Sequence, residues 1–355
     1  MSNIVKNFDS RSILYLIIAF SVFISVSSCK QRKTQPLELH GNTMGTTYTI
    51  KMDRFLPNVQ TKIDSALVSI NSKFSTYDST SQISKINQPK AVICFKDENL
   101  EFKNLLSLSQ QINIATNGYF DPTVMPLVNY WGFGPIKNKQ DTIDNSKIDS
   151  VLNFVGLEKL QWSNDSGELC FTKDYVESSL DLSAIAKGYA VDEIASLISD
   201  LGAESYMVEI GGEVRAKGVN KEGEVWKIGI DRPETTSNLN ERKLQAIVKV
   251  QDKALASSGN YRNFYKINDD LIGHTINPKT GRPEVNNLLA VSVLANNCAT
   301  ADGYATGFMA MGLDLAKQIV ASDSNLDAYF IYLDSSENIK VYYSEGFEKY
   351  LVEAK

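Results

Sequence analysis

Residues 181–217 read DLSAIAKGYAVDEIASLISDLGAESYMVEIGGEVRAK, a helical pattern followed at once by two strand patterns. The apolar positions 190, 191, 194, 197, 198 and 201 recur at the spacing of one helix face, with Ser183 as the expected N-cap and Gly202 as the stop. Beyond Gly202 the period shortens, and strands are expected at 205–210 and 212–217. The same strand-rich texture continues downstream at 225–230, 244–250, 253–258 and 289–295, then at 327–333 and 338–343 after a helix over 302–321. Upstream, MGTTYTIKM at 44–52 reads as a strand, and Val59, Ile63, Leu67 and Ile70 mark a helix. A second helix runs from Asp97 to Thr116 and is closed by Asn117-Gly118, and strands follow at 159–162, 168–172 and 175–180. Between them lies an irregular stretch, GYFDPTVMPLVNYWGFGP at 118–135, whose aromatic share suggests a pocket wall or packed cover. Consecutive strands with few helices between them predict an α+β fold, with largely antiparallel or mixed sheets and packed helices. No Pro/Ser/Gly-rich linker divides the chain, so two intimately associated lobes are expected.

The first residues need a separate reading. Lys6 and Arg11 precede a sixteen-residue, mostly apolar stretch from Ile13 to Ser28, short for a membrane span but suited to a signal-peptide core. It ends at Val26-Ser27-Ser28-Cys29, where small residues precede a cysteine as in the recognition box of bacterial lipoproteins. On this reading residues 1–28 are a lipoprotein signal peptide and Cys29 carries the lipid. Residues 29–39 form a polar tether, and 40–355 fold on the periplasmic side of the membrane. An uncleaved anchor is the alternative. The remaining cysteines, Cys94, Cys170 and Cys298, form an odd and widely spaced set, and are expected as small buried apolar residues rather than a disulfide framework.

The whole chain is 43% hydrophobic and 22% charged, as for a globular protein, and its net charge of −6 argues against nucleic acid as a partner. Only two histidines occur, His40 and His274, without HExxH or CxxC, so a metal is expected to be held by oxygen. Two helix starts offer suitable groups. At Asp181-Leu-Ser-Ala-Ile-Ala-Lys-Gly188, free amides, Lys187 and a glycine admitting close approach suit a phosphate, although an ordinary capped helix would read the same. In Ala299-Thr-Ala-Asp302-Gly-Tyr-Ala-Thr306, the Asp and Thr oxygens share one helix face and can offer a hard cation two ligands, unless Asp302 is merely an N-cap. His274 opens the loop HTINPKTGRP at 274–283, a position suited to proton transfer. The turns Glu209-Ile-Gly-Gly-Glu213 and Ser257-Ser-Gly-Asn-Tyr261 are either plain hairpin turns or sources of backbone donors for a ligand.

Taken together, these segments resemble the ApbE family of flavin transferases, in the family's order, from MGTTYTIKM at 44–52 to DGYATGFMAMG at 302–312. STYDSTSQISKIN at 75–87, VEIGGEVRAKG at 208–218 and ASSGNYRN at 256–263 are among the matching segments. The resemblance implies a T-fold-related architecture and transfer of FMN from FAD, through a phosphoester bond and with release of AMP, to a Ser or Thr. The acceptor would be a membrane redox flavoprotein bearing an Asp-x-x-(Ser/Thr)-Gly-Ala-Thr-like motif. It further implies Mg²⁺, with Mn²⁺ an equivalent candidate, held by the Ala184 carbonyl, Asp302 and Thr306. FAD contacts would come from Met44, Tyr77, Tyr119, Phe120, Asp121, Asp181, Lys187 and Ile276, with His274 as the base and Asp181 as the second candidate. An FAD pyrophosphatase and a non-catalytic flavin-binding lipoprotein are the alternative functions.

Overall fold

In the computed structural model, six strands from residue 205 onward join two near residues 37–52 in one eight-stranded sheet. The structure describes residues 36–97, 100–137, 140–165, 167–233, 243–260, 264–267, 270–284 and 286–352. The strands are β1 (Leu37–Thr43), β2 (Thr46–Met52), β3 (Tyr206–Ile210), β4 (Glu213–Lys217), β5 (Lys253–Gly259), β6 (Leu288–Ala295), β7 (Asp327–Leu333) and β8 (Ile339–Tyr343). Each pairs antiparallel with the next, so the sheet is a meander in chain order, interrupted by insertions. Long parallel crossovers are absent from this sheet, which accounts for the strand-rich runs in the sequence.

Alternation places the two faces against different cores. Tyr206, Val208 and Ile210 of β3, Ala254 and Ala256 of β5, and Ala328 and Phe330 of β7 face the main core. Met207, Leu255, Tyr329 and Ile331 face a second core closed by the hairpin Trp226–Asp231/Leu244–Val250 and by Phe347. The main core is roofed by α1 (Val59–Phe74), α2 (Glu101–Ala115), α3 (Ser183–Asp200) and α4 (Cys298–Met311). Burying a side chain such as Phe308 or Phe330 there contributes roughly 1.5–3 kcal/mol. A third cluster, including Leu127, Trp131, Ile148 and Ile276, packs the aromatic stretch onto the 264–283 segment, and Trp131 Nε1 donates to the Gly281 carbonyl at 2.8 Å. Residues 36–355 form one compact unit, with cores on both faces of one sheet in place of the two associated lobes expected.

Several local expectations are corrected. Cys94 and Cys170 are directly paired across adjacent antiparallel strands of a separate three-stranded sheet and form a disulfide; among the described residues Cys298 is left free, and it is buried. A sequence separation of 76 hid a pairing that strand register makes immediate. The stretch 175–180 is not a strand. There Asn87 accepts from the Leu180 amide at 2.7 Å and donates to its carbonyl at 2.8 Å, replacing a neighbouring strand with one side chain. The aromatic stretch contains a short helix, Met125–Tyr130, with a proline in its first turn. The last helical region starts earlier than expected, at Cys298, and breaks at Gly312, whose φ of 80° ends α4 before a second helix at Leu313–Ser322. β1 begins at Leu37, inside the stretch expected as tether. The signal-peptide segment 1–28 and Cys29 lie outside the described residues. Among those described, no helix is long and apolar enough to cross a membrane.

Candidate active site

The site is organised by the crossing of α3 and α4. Gly188 of α3 abuts the backbone of Cys298 and Ala299, and an added Cβ would collide with the Cys298 carbonyl. This close approach lets the Gly188 amide donate to Asp302 Oδ2 at 3.0 Å. In α3 the helical ladder sets the Ala184 carbonyl one turn before that amide. Thr306, half-buried, follows one turn after Asp302 on the same face of α4. Asp302 is therefore not an N-cap. Asn297 caps α4, accepting from the Thr300 amide at 2.8 Å, while Asp192 of α3 accepts from the Cys298 and Ala299 amides at 3.0 and 2.9 Å. Arg215 Nη1 pairs with the same Asp192 at 2.7 Å.

Lys187 points from α3 toward the sheet and meets Glu213 of β4, Nζ to Oε1 at 2.6 Å; Asp302 Oδ1 lies 3.8 Å from the same nitrogen. The Glu213 side chain is 3% exposed and its Oε2 has no hydrogen-bond partner. Burial lowers the Lys187 pKa, but the Asp302 and Glu213 charges outweigh it and hold the ammonium above the usual lysine range. Burial raises Asp302 against the opposing pull of Lys187. The cluster is thus rich in oxygen, with one orphaned carboxylate oxygen, and this donor set fits a hard cation completed by water and phosphate. Among the described residues no group of three or more His, Cys, Asp or Glu is arranged to hold a metal.

Asp181 stands just before α3. Its amide donates to the Pro122 carbonyl at 2.7 Å and its carboxylate accepts from the Ser183 amide at 2.9 Å. Asp181, rather than Ser183, therefore satisfies the helix start, and Ser183 is the first helical residue. Burial raises the Asp181 pKa despite the Ser183 contacts. Its charge reaches Tyr77, whose phenol is raised first by burial and then by Asp181. Tyr77 is 64% exposed and donates to the Phe133 carbonyl at 3.3 Å. The Phe133 ring packs edge-on toward His274, centroids 6.4 Å apart, which links Asp181, Tyr77 and His274 around one rim. On the same side, Lys279 lies 4.4 Å over the Tyr119 ring. Asp121 folds into its own turn, accepting from the Thr123 amide and hydroxyl at 2.8 and 2.6 Å, and burial pushes it up to about 6.

Two expected FAD contacts sit differently. Phe120 is buried against Gly303 and Gly307 of α4, and Ile276 is buried in the third cluster, so neither side chain faces an open rim. Met44 occupies a two-residue turn with Gly45, φ 49° and 72°, joining β1 to β2. The amides expected as ligand donors are already engaged: Gly211 donates to the Thr47 carbonyl, Gly212 to Glu209, and Asn260 to the Leu289 carbonyl. Glu213, Asp192, Arg215 and Phe133 were not singled out from the sequence. The available signal was strand alternation, since Glu213 and Arg215 pair with Ile210 and Val208 on a face that otherwise carries apolar residues.

A meander sheet roofed by helices, with a half-buried lysine between two carboxylates near a helix start, places groups together that would suit a phosphate and a hard cation. The chain belongs to the ApbE family, whose model matches residues 44–330. It is 37% identical over 321 residues to the FAD:protein FMN transferase of Haemophilus influenzae, covering 89% of this chain and 91% of that one. The Vibrio cholerae protein of that name is 34% identical over 341 residues, covering 94% and 98%. Among solved structures, the flavin transferase ApbE from Vibrio cholerae superposes with a TM-score of 0.78 at 35% identity, covering 89% of this chain and 99% of that one. The apo form of the Pseudomonas stutzeri flavinyl transferase ApbE gives a TM-score of 0.79 at 27% identity, covering 92% and 100%.

Proposed function

We propose that this chain is an FAD:protein FMN transferase, which moves the FMN half of FAD onto a Ser or Thr hydroxyl of another protein through a phosphoester bond. The observation that carries this reading is the Lys187–Glu213–Asp302 cluster at the α3–α4 crossing, in a chain similar over most of its length to proteins of that activity. Lys187 supplies a fixed positive charge for the pyrophosphate, and the N-terminal end of the α3 dipole adds partial positive charge. Mg²⁺, held by the Ala184 carbonyl, Asp302 and Thr306, would neutralise further phosphate charge. Mn²⁺ suits the same oxygen donors.

His274 takes the proton from the acceptor hydroxyl as its oxygen attacks the FMN-side phosphorus, and AMP departs with the electrons of the broken P–O bond. Asp181 is the weaker candidate for that role, because its carboxylate already accepts the Ser183 amide. Positioning and charge stabilisation supply most of the rate. The acceptor is a membrane redox flavoprotein with an Asp-x-x-(Ser/Thr)-Gly-Ala-Thr-like motif, met on the periplasmic side, where the lipid on Cys29 tethers the enzyme. The Cys94–Cys170 disulfide supports an oxidising compartment.

The test incubates the full chain in detergent with FAD, Mg²⁺ and a domain carrying the acceptor motif. Mass spectrometry reads FMN addition and chromatography reads AMP. An adduct on the hydroxyl, lost with EDTA, supports the transferase. Free FMN and AMP without adduct identify a pyrophosphatase, and bound, unreacted FAD a flavin-binding protein.

A further inference from the structure

Five ionised side chains gather where α3, α4 and β4 meet, and their pairing is unequal. Arg215 is taken by Asp192 at 2.7 Å, and Asp192 also receives two amides from α4. Lys187 is taken by Glu213 at 2.6 Å. Asp302 is left with one amide, from Gly188, and a lysine at 3.8 Å, beyond hydrogen-bond distance. A buried carboxylate so poorly compensated is costly unless another cation completes it. Glu213 is the reason it stays uncompensated: without that carboxylate the nearest anion for the Lys187 ammonium is Asp302.

We propose that Glu213 is a positioning residue that holds Lys187 off Asp302, keeping the Asp302 carboxylate for a divalent cation and the Lys187 ammonium for phosphate. The sheet fixes this anchor. Glu213 begins β4 and pairs with Ile210 across a turn formed by Gly211 and Gly212, both with positive φ. Its backbone therefore belongs to the sheet and not to the helix that carries Lys187. Its Oε2 is buried without a hydrogen-bond partner, so the bond from Lys187 to Oε1 and the backbone of β4 are what hold the carboxylate. Glu213 acts through Lys187 and need not touch the reacting atoms.

This inference rests on the cation centre described above, and Mn²⁺ binding read by electron paramagnetic resonance tests both separately from activity. In the full chain at fixed pH, Glu213→Gln is expected to weaken Mn²⁺ binding about tenfold, as Lys187 falls back on Asp302. Glu213→Asp keeps the charge but draws it back by one methylene; it is the arm more tolerant of folding, with about a threefold weakening expected. Adding Lys187→Met to either variant removes the competing ammonium and is expected to restore Mn²⁺ affinity, while FAD affinity stays low. Wild-type Mn²⁺ affinity in both single variants, or a loss that Lys187→Met does not reverse, would overturn the role given to Glu213. Failure of the wild type to bind Mn²⁺, with or without FAD, would instead overturn the cation centre itself.

Discussion

The Gly188 amide reaches Asp302 Oδ2 at 3.0 Å because Gly188 has no side chain to keep α3 away from the Cys298 carbonyl. One glycine thus sets both the helix packing and the second partner of the carboxylate expected to hold the cation.

Gly188→Ala should separate α3 from α4. The added Cβ meets backbone, which cannot swing aside, so a loss of about 1–3 kcal/mol is expected in urea unfolding. Mn²⁺ affinity should fall together with stability. Unchanged unfolding midpoints would mean that the helices absorb the methyl.

Asp192→Ala removes the acceptor for the first two amides of α4 and leaves Arg215 unpaired. Allowing for the partly exposed guanidinium, the cost should be about 2–4 kcal/mol, read in the same unfolding assay. A loss well under 1 kcal/mol would show that water replaces the carboxylate.

His274→Ala should slow FMN transfer by about 10²–10⁴-fold, the usual contribution of a general base. The rate of acceptor adduct formation at saturating FAD measures it. A near-normal rate, with a large loss in Asp181→Asn, would move the base to Asp181.

Asp121 carries a pH dependence with a definite sign. Burial raises its pKa from 3.8 to about 6, so the folded state binds the proton more tightly than the unfolded chain. Its contribution is most favourable below pH 3.8 and is lost as pH rises toward 6, then stays constant. Relative to Asp121→Asn, the wild type should lose about 1–3 kcal/mol between pH 4 and 7, seen as converging or crossing urea midpoints. A constant gap between the two proteins across that range would count against this account.

Reduction of Cys94–Cys170 should destabilise the folded chain by about 2–4 kcal/mol, since the bond closes a long loop of the unfolded state. Thermal unfolding with and without reductant measures the loss, and the double Cys→Ser variant should show no reductant effect.

The elements that the sequence predicted well are those whose pattern is local. The apolar stripe Val59, Ile63, Leu67 and Ile70 is buried as one face of α1, and the strands at 244–250 and 327–333 fall where alternation put them. The stretch 175–180 misled because it forms only an isolated bridge from Ser179 to Val124, and the backbone of Leu180 is met by the side chain of Asn87, far away in sequence. At the site, Lys187 and Asp302 could be singled out because each lies on a helix within a family-like segment, and the structure brings the two to 3.8 Å. Phe120 and Ile276 show the limit of that approach, since a matching position says nothing about whether its side chain faces the core.

By itself, the sequence determined the α+β class, the main strand and helix patterns and membership of a flavin transferase family, because each rests on periodicity or on motifs read along the chain. Tertiary structure alone decided that Cys94 meets Cys170, that Asp181 rather than Ser183 serves the start of α3, and that Lys187 stands between Glu213 and Asp302. These contacts depend on strand register and on the distance between two helices. Both are set by packing among residues far apart in the chain, where one residue of register turns a side chain to the opposite face.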